Sequence, residues 1–258
     1  MNLFSNQIFW QLVSRSIRTD YLENLTGFAW LILQPLLLLA VYAFVFTTIF
    51  KARIADADVV GFVPFLAVAF WPWTAFSEAI LKASGTVTAN AALIGKVAFP
   101  SELLPLSMVA ATFIMHMSGY LAVLLVLQAF GTGIHWFAVF TAVPVLLLLL
   151  ALAGAISLFA SALQVFVRDV AQILPPLMTF WFFATPIVYS SNILPERAVA
   201  WLQWNPMTWF VSRLRDLILF GKFPFAWTDL AVPIVVLVLF WLGLRFFRRF
   251  AGHFEDFL

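Results

Sequence analysis

The sequence has no cysteine and few charged residues. A chain without cysteine forms no disulfide and offers no thiolate for catalysis or metal binding. Charged residues make up 10% of the 258 residues, compared with about 25% in an average soluble domain. Hydrophobic residues make up 64%, compared with about 45–50% in soluble proteins. This composition predicts an integral membrane protein, because only lipid accommodates so much apolar surface.

The sequence also lacks the motifs of several kinds of active site. The pairs Gly95–Lys96 and Gly221–Lys222 stand without the rest of a phosphate-binding loop, so this chain is not expected to hydrolyse ATP. The histidines at 116, 135 and 253 have no metal-ligand spacing, and His116 is interpreted as a core residue. A net charge of +2 gives no support for nucleic-acid binding. We therefore expect no catalytic residue, no metal and no cofactor in this chain.

Long apolar runs divide the chain into predicted transmembrane helices. A helix needs about 20 mostly apolar residues to cross the hydrocarbon core of a bilayer. Leu103 to Val167 contains no Lys, Arg, Asp or Glu, and the Gly-Thr-Gly seam at 131–133 divides it into two spans. The fold expected is therefore an all-α membrane protein with both termini on one side. Its six predicted spans are residues 27–50, 59–80, 105–130, 136–163, 170–189 and 227–247.

The basic residues predict the orientation of these spans. Lys and Arg favour the cytoplasmic loops of membrane proteins. They follow the second, fourth and sixth spans, whereas the loop between the third and fourth spans has none. Both termini and the Arg168–Asp169 turn are therefore expected to be cytoplasmic. The residues that carry this prediction are Lys82, Lys96, Arg168, Arg245, Arg248 and Arg249.

Arg168 and Asp169 form an isolated charged pair between two apolar runs. A charge at the bilayer centre costs about 2.5–3.5 kcal/mol on insertion scales. The pair is therefore expected at the membrane boundary, where the fourth span ends. A solvated turn and a contact for a soluble partner are both compatible with this position.

The N-terminal segment, residues 3–21, has the pattern of an amphipathic helix. Apolar residues at 8, 9, 12, 13 and 17 share one face, and polar residues at 7, 11, 14, 15 and 18 share the other. The apolar face is too narrow for a span, so this helix is expected to lie in the membrane interface, in contact with lipid.

Two other segments are neither spans nor short loops. The segment of residues 82–102 is rich in small and polar side chains, and it is longer than a usual connection between two helices. Residues 195–225 predict two short helices hinged at Asn205 and Pro206, because asparagine is a good N-cap and proline suits the first helical turn. These two helices are too polar to cross, so a re-entrant or interfacial pair on the outer side is expected.

Aromatic residues are abundant, with 30 Phe, 11 Trp and 4 Tyr. An interfacial belt and core packing explain many of them. Some are also candidates to line a path for a sugar chain, because their electron-rich ring faces stack on the C–H edges of sugars. The candidates are Trp71, Trp73, Trp181, Tyr189 and Trp209.

Several stretches in order resemble the ABC-2 permeases that export O-antigen, teichoic acid and some capsules. LENLTGFAWLILQPLLLLAVYAFVF is similar to their first span, and AFWPWTAFSEAI with NAALIGKVAFPSELLPL is similar to their second span and first cytoplasmic loop. VFVRDVAQIL resembles the turn between spans four and five, and FFATPIVYSSNILPE with LQWNPMTWFVSRLRDLIL resembles the outer gate helices. Ala69–Phe70 in place of Gly-Leu, and the ending FAGHFEDFL, depart from the pattern and leave the subfamily open.

The resemblance implies a membrane subunit of an ATP-driven exporter and not an enzyme. Such permeases pair as homodimers and dock on two copies of a cytoplasmic ABC ATPase, which binds ATP and Mg²⁺. The substrate implied is a polysaccharide on undecaprenyl pyrophosphate, most closely an O-antigen, and the location is the bacterial inner membrane. The alternatives are a teichoic-acid or capsule permease, a small-lipid or drug exporter, an ATP-independent carrier and a membrane-bound transferase.

The resemblance also implies roles for particular residues. Asn205 and Pro206 match the outer gate of the family. Arg15 and Arg18 are expected to receive the lipid pyrophosphate, with attraction to anionic lipid as an equal alternative, because arginine binds phosphate in a bidentate geometry. The N-terminal helix and the loop after the second span face the ATPase in this family. The expected docking residues are Thr86, Asn90, Leu93, Lys96, Arg168 and Asp169.

Overall fold

The computed structural model of the chain describes residues 3–19, 27–49, 61–94, 99–191, 194–223 and 225–258. Within these ranges the chain forms helices, turns and short loops, and no strand. In chain order the α-helices are α1 (Leu3–Ile17), α2 (Gly27–Phe44), α3 (Phe62–Ser84), α4 (Thr86–Ala89), α5 (Ala91–Ile94), α6 (Leu103–Ala129), α7 (Trp136–Phe166), α8 (Val170–Phe183), α9 (Glu196–Leu202), α10 (Pro206–Ile218) and α11 (Thr228–Ala251).

Four of the described helices, α3, α6, α7 and α11, are long and apolar enough to cross a membrane. They correspond to the second, third, fourth and sixth predicted spans. The predicted boundaries are confirmed to within a few residues for α6 and α7, which begin at Leu103 and Trp136. Helix α2 begins at Gly27, the predicted start of the first span, and Val45–Ile49 continues α2 as a wider helical turn.

The fifth predicted span is shorter than expected. The prediction extended it to residue 189, but α8 ends at Phe183. Pro186 explains the early end, because proline has no N–H for the helix and disfavours helical geometry at the residue before it, Thr185. The 14 residues of α8 span about 21 Å at 1.5 Å per residue.

Helix α3 is the centre of the fold. It packs against α6 and α7 and also contacts α2, α8 and α10. Helix α3 continues to Ser84, four residues beyond the predicted end of the span, and contains both Glu78 and Lys82. These two side chains form an ion pair of 2.9 Å one turn apart, so their charges are compatible with a helix that is otherwise apolar.

The amphipathic pattern predicted for the N-terminal helix is confirmed. Helix α1 packs on α6, where Val13 is buried and Ile17 contacts Met115. The polar side chains predicted on its other face, at 7, 11, 14, 15 and 18, are all exposed.

The two ends of the helix bundle have different chemistry. One end, here called the basic end, carries Lys82, Arg168 and the arginines of α11 that follow Leu244. Phe254 packs there with Val87 and Val165, which brings the C-terminal turn beside α4 and the end of α7. The opposite end carries α9 and α10, and the His135 N–H donates to the carbonyl of Ile218 there.

Gly119 of α6 packs directly against the Trp71 ring of α3. A Cβ at this position would lie 2.8 Å from the ring of Trp71, which is fully buried and unable to move aside. We therefore expect Gly119→Val to lower the free energy of unfolding by about 1–3 kcal/mol through overpacking. Thermal unfolding of the purified protein measures this change. Gly133→Val is the matched control, since a Cβ there meets nothing within 4 Å, and equal melting temperatures for the two variants would contradict the prediction.

Candidate functional site

The predicted hinge at Asn205 and Pro206 begins helix α10 as expected. Pro206 is the first helical residue, and the Met207 N–H donates to the side-chain oxygen of Asn205 over 3.0 Å. Asn205 has extended backbone geometry, which is usual for an N-cap residue. The prediction of the cap and of the helix start is therefore confirmed.

Asn205 also joins α10 to the end of α8. Its amide nitrogen donates to the carbonyl of Ala184 over 3.0 Å and to the hydroxyl of Thr185 over 2.9 Å. The indole N–H of Trp181 donates to the Asn205 oxygen over 2.9 Å. The Asn205 side chain therefore makes four hydrogen bonds, which connect α10 with the end of α8. The sequence predicts only the bond that caps α10.

Arg215 anchors α10 to the interior of the bundle. The residue is 6% exposed, and its guanidinium donates to three backbone carbonyls. These carbonyls belong to Phe65 at 3.0 Å, Pro186 at 2.7 Å and Ile187 at 2.6 Å. The guanidinium also lies 3.4 Å from the centre of the Phe65 ring. Arg215 thus connects α10 with the start of α3 and with the chain that follows α8.

The sequence analysis missed this role of Arg215. The signal that could have found it is the helical spacing, because Val211, four residues before, and Ile218, three residues after, share the face of Arg215 and are both buried. A charged residue between two buried positions of a short helix needs buried partners.

A third junction holds α10 against α11. Asp229, in the first turn of α11, accepts from the indole N–H of Trp209 over 2.9 Å and from the Ala226 N–H over 2.8 Å. Arg213 forms an ion pair with the same carboxylate. Helix α10 is therefore tied by polar contacts to α3, to α8 and to α11, and a displacement of α10 must either carry these neighbours along or break the contacts.

Helix α9 is held much less firmly than α10. None of its residues is buried, and Trp201 and Trp204 are 80% and 86% exposed. The two short helices at the opposite end therefore differ in kind, since α10 is anchored in the fold and α9 presents aromatic surface.

Of the candidate sugar-path aromatics, Trp73 and Trp181 belong to one aromatic cluster. Their ring centres are 6.0 Å apart, and Trp181 lies 5.4 Å from Phe76. Tyr42 and Phe182 extend the cluster, which joins α2, α3 and α8. Trp73 is 5% exposed, so most of its surface packs within this cluster.

The other three candidates are dispersed. Trp71 points to α6 and donates to the carbonyl of His116 over 3.0 Å, and no part of its ring is exposed. A ring with no exposed face has no surface for a sugar in this conformation. Tyr189 and Trp209 are partly exposed; the Tyr189 hydroxyl donates to the Phe183 carbonyl, and Trp209 is engaged with Asp229.

His116 is a fully buried residue of α6, in agreement with its interpretation as a core histidine. Its Nε2 lies 2.8 Å from a carboxylate oxygen of Glu78 on α3. Glu78 lies two residues before the predicted end of the second span, and six residues of α3 follow it. The pair thus forms a polar contact between two apolar helices.

At the basic end the predicted ATPase-docking residues have different environments. Thr86 is 6% exposed, and its hydroxyl donates to the Ala83 carbonyl. The Asn90 amide donates to the Thr86 carbonyl over 2.8 Å, and Leu93 is half-buried. Lys96 lies outside the described residues.

Arg168 and Asp169 are exposed in the turn between α7 and α8, as expected for a boundary position. Arg15 on α1 and Arg18 just after its end are exposed, and Arg15 shares a small pocket of about 130 Å³ with Thr86 and Asn90. One of the two predicted phosphate-binding residues and two of the predicted docking residues therefore line the same pocket.

Within the described residues, no group of three or more His, Asp or Glu side chains could hold a metal ion.

The profile of the family described as ABC-2 type transporter matches residues 7–219. The chain belongs to this family.

Relatives of this ABC-2 transporter chain cover almost its whole length. An O-antigen export system permease protein RfbA from Myxococcus xanthus is 28% identical over 95% of this chain and 93% of its own length. A protein of the same name from Klebsiella pneumoniae is 23% identical over 96% of this chain and 93% of its own. The polysialic acid transport protein KpsM of Escherichia coli is 24% identical over 92% of this chain and 91% of its own.

Family membership and the apolar helices together identify a multi-pass membrane protein. The matched region of the ABC-2 transporter profile begins at residue 7, within α1, and includes α2 to α10 in full. It ends at residue 219, one residue after the end of α10, so α11 lies beyond it.

Proposed function

We propose that this chain is the permease subunit of an ATP-driven exporter that moves a polysaccharide across the bacterial inner membrane. The observation that carries the proposal is the similarity, over more than nine-tenths of the chain, to proteins named for O-antigen export and polysialic acid transport. An O-antigen carried on undecaprenyl pyrophosphate is the substrate we favour, because O-antigen export permeases from two organisms are among these relatives. A capsule polysaccharide is the second candidate, because of the relative named for polysialic acid.

The proposed assembly is a homodimer with two copies of a cytoplasmic ABC ATPase. Each permease has six spans, with α2 and α8 as the first and fifth, and both termini in the cytoplasm. The concentration of Lys and Arg at the basic end supports this orientation. In it α1 lies in the cytoplasmic interface, and α9 and α10 form a re-entrant outer gate.

The proposed ATPase contact lies at the basic end. The exposed Arg168 and Asp169 are suited to contact the ATPase directly. Thr86, whose side chain is buried, contributes by holding α4 in place, and Asn90 and Leu93 continue the same surface. Lys96 stays a predicted member of this surface.

Deletion of the gene in its own strain tests the function. We expect surface polysaccharide to disappear and lipid-linked polymer to accumulate inside the cell, with export restored by this chain only when the partner ATPase can hydrolyse ATP. Composition analysis of the lost polymer distinguishes an O-antigen from a capsule. Transport by the purified chain in vesicles without an ATPase would contradict the proposal in favour of a carrier, and turnover of a lipid-linked sugar would contradict it in favour of a transferase.

Arg15 and Arg18 are proposed to receive the lipid pyrophosphate. The double change Arg15→Gln and Arg18→Gln removes two exposed guanidinium groups, one on the polar face of α1 and one just after its end. We expect export to fall at least about tenfold, as for the loss of charge-assisted phosphate contacts, while the complex with the ATPase still assembles. Polysaccharide export and size-exclusion chromatography measure the two properties. The control is the double change Gln7→Ala and Gln11→Ala on the same polar face. Normal export by the arginine variant would contradict the proposed role of Arg15 and Arg18.

The proposed orientation is tested by labelling single cysteines, for which the native chain provides a cysteine-free background. A cysteine at Arg168 is expected to resist an impermeant thiol reagent in intact cells and to react after the membrane is opened. A cysteine at Gln203, exposed at the opposite end, is expected to react in intact cells. The reverse labelling pattern would show that the orientation is wrong.

A further inference from the structure

The arginines near the end of α11 border a groove that no part of the proposed transport mechanism uses. This α7–α11 groove has a volume of about 990 Å³ and lies between Phe159 of α7 and the last turns of α11. Its walls are apolar and its rim is basic. The rim residues are Arg245, Arg248 and Arg249.

The arrangement follows from the helical repeat of α11. Arg245 and Arg249 are four residues apart and lie one turn above the other on the same face. Leu242, Phe246 and Phe250 form a parallel row with the same spacing and provide the apolar wall. Phe246 packs against Phe159 with ring centres 5.1 Å apart, which closes the floor of the groove between the two helices.

Only one of the rim arginines has an acidic partner within the described part of the chain. Arg248 donates through two nitrogens to Glu102 over 2.8 Å. Arg245 lies over the ring of Trp241 at 4.5 Å, which orients its guanidinium without neutralising it. Arg249 has no carboxylate within ion-pair distance among the described residues, and both Arg245 and Arg249 are exposed.

These features define the chemistry of an occupant. Two guanidinium groups one turn apart favour an anion with several oxygen acceptors, such as a phosphate diester. The adjoining wall of Leu and Phe favours a hydrocarbon chain. A basic pocket between helices at the end of an apolar span is suited to the head group of an anionic lipid. We propose that the α7–α11 groove binds an anionic phospholipid, with its phosphate at Arg245 and Arg249 and an acyl chain along Phe246.

The proposal is tested on the purified full-length protein with phosphatidylglycerol and with phosphatidylcholine of the same acyl chains. Native mass spectrometry measures bound lipid, and thermal unfolding measures the stabilisation that each lipid provides. We expect phosphatidylglycerol to stay bound and to raise the melting temperature more than phosphatidylcholine does. The double change Arg245→Gln and Arg249→Gln should weaken phosphatidylglycerol binding about tenfold or more, while the melting temperature without added lipid stays unchanged because both side chains are exposed.

Two controls separate a built site from general attraction to a charged surface. Arg197→Gln with Lys222→Gln removes the same charge from exposed positions at the opposite end and should leave phosphatidylglycerol binding intact. Phe246→Ala should weaken binding of the lipid but not of glycerol phosphate, which has no acyl chain. Equal binding of the two lipids, unchanged binding by the Arg245 and Arg249 variant, or equal loss in the control pair overturns the proposal. So does a variant that keeps the lipid and loses only the ATPase, because the groove would then be a protein contact.

Discussion

Replacement of Arg215 by Met is expected to produce the largest loss of stability of any single change considered for this protein. The substitution removes the donor to the carbonyls of Phe65, Pro186 and Ile187. Each lost hydrogen bond from this charged donor costs about 1.5–3 kcal/mol, so the total reaches several kcal/mol. Since native proteins are stable by only about 5–15 kcal/mol, we expect a sharply reduced yield of folded protein and a much lower melting temperature.

Methionine is a suitable replacement because it keeps an unbranched side chain that packs on the Phe65 ring. The loss then reflects the hydrogen bonds and the charge more than a cavity. Arg215→Lys should have an intermediate effect, because an ammonium group reaches fewer of the three carbonyls than a planar guanidinium with five donors. The melting temperature in detergent and the monodisperse fraction in size-exclusion chromatography measure both effects.

Arg197→Met on α9 is the matched control for this experiment. Arg197 is exposed, so the same change in charge and shape should alter the stability by no more than about 0.5 kcal/mol. A protein with Arg215→Met that melts at the temperature of the Arg197→Met variant would show that the carbonyl contacts do not hold α10 in the fold.

Replacement of Asn205 by Ala is expected to loosen the opposite end without affecting the basic end. The loss of the N-cap costs about 0.5–2 kcal/mol. The two bonds donated to Ala184 and Thr185 and the one accepted from Trp181 disappear as well, at about 0.5–1.5 kcal/mol each. Because none of these contacts lies near α4 or the α7–α8 turn, we expect normal assembly with the ATPase and normal basal ATP hydrolysis. Surface polysaccharide should fall or ion leak should rise.

Asn205→Asp separates the cap from the connection between helices. The carboxylate still accepts from the Met207 N–H and from Trp181, but it has no donor for the Ala184 carbonyl. If the gate depends on the contact between α8 and α10, the protein with Asn205→Asp should leak ions or export poorly although α10 stays capped.

Pro206→Ala restores an N–H and frees the backbone at the start of α10, so the angle between α9 and α10 becomes less constrained. Gln203→Ala, at a neighbouring exposed position, controls for general disturbance.

Three measurements decide whether Asn205 has this role. Expression level and size-exclusion chromatography report folding, ion flux in vesicles reports the seal, and cell-surface polysaccharide reports export. A protein with Asn205→Ala that assembles, stays sealed and exports at the normal rate is incompatible with a gate at this position. A protein that fails to assemble indicates that the residue serves only the fold.

The sequence by itself was sufficient for the features that depend on local chemistry. The apolar runs around α6 and α7 predicted their boundaries, because hydropathy and length suffice to identify a helix in lipid. The division of α1 into two faces followed from the helical repeat. The start of α10 followed from Asn205 and Pro206, because a cap involves residues only a few positions apart.

The tertiary structure decided the features that depend on partners distant in the chain. Arg215 bonds to the carbonyl of Phe65, 150 residues away, and no periodicity in α10 encodes that contact. His116 and Glu78 are 38 residues apart in the chain, and only the packing of α6 on α3 brings them together. The same packing leaves Trp71 without an exposed face, while Trp201 on α9 and Trp204 just after it remain exposed. A tryptophan contributes equally to the hydropathy of a span whether its ring is buried or exposed. Only the neighbours that the fold supplies therefore distinguish a core ring from an exposed one.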